Sequence, residues 1–391
     1  MNNMSYIKDL DNKYVASTYA RFPVEIVRGN GSLLYDVDGK EYIDMGSGIG
    51  VTAFGIADPE WQKAVTEQLS KVQHTSNLYY TEPCAKLAQL LCEKTGMSRV
   101  FFGNSGAEAN ECAIKVARKY ASEKKGADYY TIITLNNSFH GRTLTTLAAT
   151  GQEHYHELFQ PLTPGFVHAD SSKPKELEAL VSSTKAAAIM LEIIQGEGGV
   201  LNTPKEFIDE AYRIATELDV VLIIDEVQTG NGRSGEFYAY MNYGIKPDIV
   251  TTAKGLGGGL PIGAAILSDK VSNVLSHGDH GSTYGGNPVC CAGACSVISR
   301  IDGEFLDEVK RKHQLIVNTL KDKKGILSVS GMGLMVGIET ERKAADIVKE
   351  CIENGVLCLT AKNKVRLLPA LNIPDELLIK ALNVICNLCA K

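Results

Sequence analysis

Short apolar segments alternate with longer amphipathic segments through the middle of the chain. The apolar segments are rich in β-branched residues, which favours strands, whereas the amphipathic ones repeat apolar residues at helical spacing. Such alternation is typical of an α/β protein with a mainly parallel, doubly wound sheet. The predicted strands are Arg99–Gly103, Tyr130–Leu135, Ala186–Ile194, Val220–Ile224 and Ile249–Thr252, and the predicted helices are Pro59–Val72, Pro83–Lys94, a helix opening at Ser105, and Phe207–Glu217.

The two ends of the chain follow a different pattern. A hairpin is predicted where two alternating runs flank Asp38 and Gly39. After residue 285 helices and strands mix without regular alternation, which suits a smaller α+β domain. We therefore predict a large domain at residues 56–285 and a small domain formed by residues 1–55 and 286–391. The predicted strands here are Ser32–Asp36, Glu41–Asp44, Gly333–Glu339 and Lys364–Pro369, and the helices are Pro288–Ile301, Phe305–Lys321 and Pro374–Lys391.

The composition is that of an ordinary globular protein, with 44% hydrophobic and 22% charged residues. The net charge of −6 gives no indication of a basic surface that would bind nucleic acid. No apolar run is long enough for a transmembrane helix, and the N-terminus resembles no targeting segment. We expect a cytoplasmic protein that binds neither nucleic acid nor membrane.

The cysteines and histidines do not predict a metal site. The ten cysteines are scattered among apolar residues, which favours reduced thiols over a disulfide framework. Cys386 and Cys389 form a single CxxC that fits one face of a helix better than a zinc site. His277, Asp279 and His280 lack a well-placed further ligand, so we predict no metal there either.

The carboxyl ends of the predicted strands carry the candidate chemistry. Lys254 follows the strand Ile249–Thr252 and precedes Gly255 and further glycines. Ligands of open α/β sheets bind beyond the carboxyl ends of the strands, so Lys254 is a candidate for covalent attachment of a cofactor. A solvated surface lysine before a flexible turn is the alternative, and Lys254 alone does not decide between them.

Other strand ends carry residues that complement Lys254. Asp225 follows one apolar strand, Phe139 follows another, and Ser105 opens a helix at capping-box spacing from Glu108. A helix start offers free N–H groups and a positive dipole end to a phosphate, although an ordinary strand–helix junction has the same pattern. Pyridoxal 5'-phosphate (PLP) needs this combination: an amine for its aldehyde, an acid for its ring nitrogen, a flat group against its ring and donors for its phosphate.

A second glycine pattern points to a different cofactor. Gly230, Gly232 and Gly235 satisfy the GxGxxG fingerprint of dinucleotide-binding proteins. In that fingerprint the glycines follow the strand almost directly, whereas here Asp225 and Glu226 intervene and would bring two carboxylates near the pyrophosphate. An NAD-binding enzyme is therefore a minor alternative.

Several long motifs resemble those of the class III PLP-dependent aminotransferases. The resemblance extends from about Tyr19 to Leu371. It implies fold type I, PLP as cofactor, a homodimer with active sites at the subunit interface, and ping-pong transamination of small molecules through pyridoxamine phosphate. The motifs are FFGNSGAEANECAIKVARKY, SFHGRTLTTLAATGQ, IIQGEGGV, LIIDEVQTGNGRSGEF, PDIVTTAKGLGGGLPIGA, HGSTYGGNP and VRLLPAL.

The resemblance also implies roles for individual residues, each of which taken singly could instead be structural. Lys254 would hold PLP and shuttle the proton, and Asp225 would pair with the ring nitrogen. Arg142 would bind a substrate carboxylate, while Glu197 and Arg366 would mask or expose a second carboxylate site. Further residues implied in cofactor binding are Ser105, Gly106, Ala107, Phe139, Glu226, Val227, Gln228 and, from the other subunit, Thr283, and those implied in substrate binding are Ser282 and Tyr19.

The implied arginines suit one pair of substrates. Glutamate carries two carboxylates, whereas N-acetylornithine, which reacts at its δ-amine, carries only the distal one. Arg142 can bind the distal group of both if Glu197 neutralises Arg366 when N-acetylornithine is bound. We expect N-acetylornithine and 2-oxoglutarate to give N-acetylglutamate semialdehyde and glutamate, a step of arginine biosynthesis. The alternatives are ornithine, succinylornithine, acetyllysine, succinyldiaminopimelate or 4-aminobutyrate as donor, or a PLP-binding protein without turnover.

Overall fold

The computed structural model describes residues 4–391. Its α-helices are α1 (Met4–Tyr14), α2 (Ser47–Gly50), α3 (Pro59–Leu69), α4 (Glu82–Thr95), α5 (Gly106–Lys125), α6 (Leu144–Ala149), α7 (Leu177–Ser183), α8 (Lys205–Glu217), α9 (Pro288–Ile298), α10 (Gly303–Leu320), α11 (Ala344–Glu353) and α12 (Asp375–Cys389). Short 3-10 turns occupy Glu153–Tyr155, Pro174–Glu176, Ala239–Tyr243 and Lys254–Leu256.

The strands are short and most lie in three sheets. They are β1 (Ile26–Asn30), β2 (Leu33–Asp36), β3 (Glu41–Asp44), β4 (Arg99–Gly103), β5 (Thr131–Leu135), β6 (Phe166–Ala169), β7 (Ala186–Leu191), β8 (Ile194–Gln195), β9 (Leu201–Asn202), β10 (Val221–Asp225), β11 (Ile249–Thr252), β12 (Gly263–Leu267), β13 (Ile326–Met332), β14 (Met335–Thr340), β15 (Val356–Leu357), β16 (Leu359–Ala361) and β17 (Lys364–Leu367).

The central sheet has seven strands in the order β4-β12-β11-β10-β7-β5-β6. Strand β12 runs antiparallel to both of its neighbours, and the pairs among β11, β10, β7, β5 and β6 are parallel. This confirms the predicted α/β class and the mainly parallel sheet. The sequence pattern does not predict β6 or β12. Strand β12 begins within the stretch rich in glycine and alanine that follows Lys254.

Helices cover both faces of the central sheet, as period-two alternation along the buried strands requires. Val221 and Ile223 of β10 belong to the apolar cluster that includes one side of α5. Leu222 and Ile224 of the same strand belong to the cluster on the opposite face, which includes Phe207 of α8. Both faces of β10 are therefore buried, which explains its uninterrupted apolar sequence.

The two ends of the chain meet in smaller sheets. Strand β15 pairs in parallel with β3 next to the predicted hairpin of β2 and β3, and β13, β14, β17 and β16 form a separate antiparallel sheet. The β3–β15 pair supports a small domain built from both ends of the chain. Helix α9, however, packs against α3 and α4 across the predicted boundary at residue 285, so the domain limits stay a prediction.

Four elements near the C-terminus were not predicted from the sequence: β13, α11, β15 and β16. Helix α11 begins after Lys343 without a side-chain cap, so the usual start signal is missing.

Within residues 4–391, no helix combines the length and the apolar character needed to cross a bilayer.

Gly263 of β12 fixes how closely the central sheet approaches the start of α5. A Cβ at this position would lie 2.1 Å from the carbonyl oxygen of Ser105, which caps that helix. We predict that Gly263→Ala lowers the free energy of unfolding by about 1–3 kcal/mol, as overpacking of a rigid contact does. Thermal unfolding measures the effect, with Gly303→Ala as the control because a Cβ there meets nothing within 4 Å. Equal stability of both variants would contradict the prediction.

Candidate active site

A cavity of about 490 Å³ lies at the carboxyl ends of β5, β7, β10 and β11, next to the start of α5. Parallel strands place the loops that follow them at the same edge of the sheet, so residues far apart in sequence converge there. Most of the residues singled out from the sequence line this cavity. They are Ser105, Gly106, Ala107, Phe139, Arg142, Glu197, Asp225, Val227, Gln228 and Lys254.

Lys254 follows β11 by one residue and begins a short 3-10 turn. Its φ of 46° lies in the left-handed region, which a non-glycine residue adopts rarely and often at functional sites. Burial lowers the pKa of its ammonium group, an effect that nearby Glu197 opposes and nearby Arg366 reinforces. A lowered pKa increases the fraction of free amine, the form that reacts with an aldehyde.

Asp225, the last residue of β10, is a buried carboxylate held by three donors. Its Oδ2 atom accepts a hydrogen bond from Asn110 Nδ2 and contacts His140 Nδ1, both at 2.8 Å, and its Oδ1 accepts one from the Val227 N–H at 3.0 Å. The Nε2 atom of His140 is buried without a hydrogen-bond partner in the described structure. The carboxylate therefore has a fixed orientation at the wall of the cavity.

The first turn of α5 forms the opposite end of the cavity. Ser105 Oγ accepts a hydrogen bond from the Glu108 N–H at 3.2 Å, but the Glu108 carboxylate bonds the N–H of Asn104 rather than that of Ser105. The predicted capping box is thus only half formed. The first N–H groups of a helix have no partner within it, so those of Gly106 and Ala107 are suited to bind an anion at this point. A Cβ on Gly106 would lie 2.7 Å from Val227 Cγ1, which restricts this position to glycine.

Glu197 and Arg366 form an ion pair beside the cavity. Arg366 Nη1 donates to Glu197 Oε1 at 2.6 Å and to Gln228 Oε1 at 3.3 Å. Burial alone would raise the pKa of the Glu197 carboxyl, but the Arg366 guanidinium outweighs it and the pKa is lowered. Arg366 is buried whereas the Glu197 side chain is 29% exposed, so Glu197 is the partner with room to turn away.

Besides Arg366, four singled-out residues do not line this cavity. Ser282 lies next to it, because its Oγ accepts a hydrogen bond from the cavity residue Asn104 at 3.0 Å. Thr283, the residue after Ser282, is exposed to solvent. The Glu226 carboxylate faces away from the cavity, where it accepts hydrogen bonds from Thr229 and from the N–H of Tyr240, and the Arg21 guanidinium lies over the exposed Tyr19 ring. The roles implied for Glu226 and Tyr19 stay predictions.

A model of the family described as Aminotransferase class-III matches residues 14–388 of the chain. The chain belongs to the class III aminotransferases. The structure places the glycines of the GxGxxG pattern outside the cavity, where Gly232 packs against Leu371 and Gly235 against Lys310. That pattern therefore does not form a dinucleotide site in this class III aminotransferase.

Known class III aminotransferases resemble the chain over nearly its full length. An acetylornithine aminotransferase of Haemophilus ducreyi is 49% identical over 387 residues, which cover 98% of this chain and 98% of that protein. A succinylornithine transaminase of Citrobacter koseri is 43% identical over 384 residues, covering 96% and 94%. The crystal structure of the ornithine aminotransferase from Toxoplasma gondii matches with a TM-score of 0.95 at 31% identity, covering 100% of this chain and 95% of that chain. Fold type I is thereby confirmed.

PLP is the cofactor of class III aminotransferases, and the cavity fits it. Its volume lies within the usual range for small-molecule sites. Lys254 offers the amine, Asp225 a buried acid, and the start of α5 the donors for a phosphate, all on one cavity. Among the described residues no cluster of three or more metal-ligating side chains is present.

The cavity of this class III aminotransferase is also lined by residues that the sequence pattern did not single out, among them Asn110, His140 and Glu192. Glu192 follows β7 directly, at the same edge of the sheet as Asp225, but it lies inside the longer strand Ala186–Ile194 that the sequence predicts, so the strand-end rule does not select it. Its carboxylate accepts hydrogen bonds from the N–H groups of Phe139 and Gly196, and burial raises its pKa to about 7. Asn110 and His140 had no comparable signal, because their roles depend on a contact with Asp225 across the fold.

The buried Glu226 makes stability depend on pH. Burial raises the pKa of its carboxyl to about 7 from the ordinary 4.5. The folded protein therefore has its full stability with respect to this group below pH 4.5, and loses stability as the pH rises through about 7 and the buried carboxyl ionises. We predict that Glu226→Gln raises the free energy of unfolding at pH 8, by roughly 3 kcal/mol at most, and changes it little at pH 5.

Denaturant unfolding of wild type and variant at both pH values tests this prediction. Glu192, which also titrates near pH 7, is present in both proteins, so its effect cancels in the difference. The exposed Glu376→Gln serves as the control. A Glu226→Gln variant that is less stable than wild type at pH 8 would show that the ionised carboxylate stabilises the fold.

Proposed function

We propose that the chain transfers an amino group from N-acetylornithine to 2-oxoglutarate, giving N-acetylglutamate semialdehyde and glutamate, in arginine biosynthesis. The ion pair between Glu197 and Arg366 beside Lys254 carries this proposal, because it lets one site accept donors with one or two carboxylates. The 49% identity to an acetylornithine aminotransferase supports the choice of donor.

Lys254 and Asp225 are the proposed catalytic residues. When bound, PLP supplies an aldehyde that accepts the amino group and a protonated ring that stabilises negative charge on the substrate carbon. Lys254 Nζ, with its lowered pKa, is a base that can take the proton from that carbon and return it. Asp225, fixed by Asn110 and His140, keeps the proton on the ring nitrogen.

The remaining proposed contacts hold the phosphate and the ring. Gly106 and Ala107 donate their N–H groups at the start of α5, where the helix dipole favours an anion. Phe139 would lie against the PLP ring, and its main chain is fixed by the hydrogen bond from its N–H to Glu192. Val227 and Gln228 close the side of the cavity that follows Asp225.

Two arginines of different environment are proposed to distinguish the substrates. Arg142 lies exposed at the cavity wall and pairs with no carboxylate among the described residues. It can therefore bind the carboxylate that N-acetylornithine and glutamate have in common. Arg366 is neutralised by Glu197 while N-acetylornithine is bound. When glutamate or 2-oxoglutarate binds, Glu197 turns away and Arg366 pairs with the second carboxylate.

We also propose a homodimer and a cytoplasmic location. Thr283 and Tyr284 are exposed on a loop whose main chain is tied to Asn77 by two hydrogen bonds. Leu78 and Tyr80 next to Asn77 are also exposed, and such an apolar patch favours a protein partner. In a dimer Thr283 would reach the phosphate in the other subunit. The ten cysteines are all free, which suits a reducing compartment.

Replacement of Lys254 tests the proposed catalytic role. We predict that Lys254→Ala lowers transamination by roughly 100- to 10,000-fold, the usual contribution of a positioned proton-transfer group. Glutamate formation from 2-oxoglutarate measures turnover, and the visible absorbance of the PLP-loaded enzyme reports the covalent bond to Lys254. The exposed Lys71→Ala should retain both signals. Full turnover by Lys254→Ala would refute the assignment.

A panel of amino donors with 2-oxoglutarate tests the proposed substrate. N-acetylornithine should give the highest kcat/KM among N-acetylornithine, N-succinylornithine, ornithine, acetyllysine, succinyldiaminopimelate and 4-aminobutyrate. The succinylornithine transaminase of Citrobacter koseri makes N-succinylornithine the second candidate. A clear preference for another donor would move the assignment to that donor without changing the family.

The Glu197–Arg366 pair gives a prediction that separates the two half-reactions. Glu197→Gln leaves the buried Arg366 without its counter-charge, so Arg366 should be available to a second carboxylate at all times. We predict that the ratio of kcat/KM for N-acetylornithine to that for glutamate falls by about 10-fold or more. Half-reactions of the PLP-loaded enzyme measure both values, with the exposed Glu206→Gln as the control. An unchanged ratio would rule out the proposed exchange of partners.

A further inference from the structure

Arg142 is stacked on two aromatic rings at the wall of the cavity. Its Cζ lies 4.6 Å from the ring centroid of Tyr155 and 5.5 Å from that of Phe139, and the two rings meet edge to face at 5.8 Å. A guanidinium held over a ring is attracted by the π-electrons of the ring face and has no hydrogen-bond acceptor there, so its N–H donors remain available to a ligand. The arrangement presents Arg142 to a ligand carboxylate without using its hydrogen-bonding capacity.

The segment that carries Tyr155 is fixed to the loop that carries Phe139. Gln152 Nε2 donates to the carbonyl oxygen of Ser138 at 3.1 Å, directly before Phe139. On the other side of Tyr155, His156 Nε2 lies 2.9 Å from the carbonyl oxygen of Leu147 at the end of α6. Tyr155 is half-buried in this clamp. Its ring is therefore a rigid support for a flexible, exposed side chain.

We propose that Tyr155 is a positioning residue that orients Arg142 toward the carboxylate of the amino donor. An arginine free to adopt many rotamers loses that freedom when it binds a carboxylate, and this loss weakens binding. Stacking on Tyr155 restricts Arg142 before the donor arrives, so less freedom is lost on binding. The inference rests on the proposed role of Arg142, but it applies to any donor with a carboxylate at that distance.

The ring of Tyr155, rather than its hydroxyl, provides this support. The stacking contact uses the face of the ring, and no hydrogen bond of the hydroxyl is present in the described part of the chain. Tyr155→Phe should therefore behave like wild type, whereas Tyr155→Leu and Tyr155→Gln should lose the effect. Using two non-aromatic variants keeps the test possible if one of them folds poorly.

The experiment compares two donors that differ only in the carboxylate: N-acetylornithine and N-acetylputrescine. Half-reactions of the PLP-loaded enzyme are followed by visible absorbance, which remains measurable for slow amines. We predict that the non-aromatic variants lower kcat/KM for N-acetylornithine by roughly 3- to 30-fold, mainly through KM, and leave N-acetylputrescine unchanged.

Binding without reaction provides a second measurement. N-acetylnorvaline keeps the carboxylate of N-acetylornithine but has no δ-amine, so it can only bind. Its inhibition constant should rise by the same factor in the Leu and Gln variants and stay constant in Tyr155→Phe. Thermal unfolding confirms that each variant is folded before the constants are compared.

The inference is overturned if the non-aromatic variants affect both donors equally or neither of them, or if Tyr155→Phe is as impaired as Tyr155→Leu. It is also overturned if wild type does not distinguish N-acetylornithine from N-acetylputrescine. Failure of the proposed function is a separate result, seen with wild type alone as a preference for another donor. In that case ornithine and putrescine, for example, replace the acetylated pair, and the comparison of Tyr155 variants is unchanged.

Discussion

The buried carboxylate of Asp225 is the constraint on which the geometry of the site depends. It is only 4% exposed, and a carboxylate in such a place needs hydrogen-bond donors to replace its lost solvation. The donors come from α5 through Asn110, from the loop after β5 through His140, and from the loop after β10 through Val227. One charge thereby fixes three segments relative to each other. The same segments carry Gly106, Phe139 and Gln228, which line the cavity.

The charges of the two arginines near the cavity, Arg366 and Arg142, are stabilised in different ways. Arg366 is buried and paired with Glu197, and this ion pair neutralises its charge. In the proposed scheme, the site can then accept a substrate without a second carboxylate as long as Glu197 stays in place. Arg142 is exposed and needs no counter-ion, because water and the faces of two rings stabilise it. A permanently available arginine and a conditionally available one together suit substrates with a shared carboxylate and a second carboxylate on only one of them.

The strand-end rule explains how much of the site could be predicted from the sequence. Lys254 and Asp225 follow buried strands, and their positions required only the recognition of those strands and of a common sheet edge. The contact of His140 with Asp225 joins residues 85 positions apart, and it depends on the order of strands, which periodicity does not report. The Glu226 side chain points away from the cavity that Asp225 lines, since neighbouring residues at a strand end point to opposite sides.

The central claim is that Asp225 keeps a proton on the ring nitrogen of PLP while Lys254 removes one from the substrate. The most direct measurement is the exchange of the hydrogen on the amine-bearing carbon of N-acetylornithine with solvent deuterium. Asp225→Asn keeps the size of the side chain but removes its charge. The account predicts that this variant retains PLP and exchanges the hydrogen roughly 100-fold or more slowly than wild type. Exchange at the wild-type rate in a PLP-loaded Asp225→Asn enzyme would contradict it.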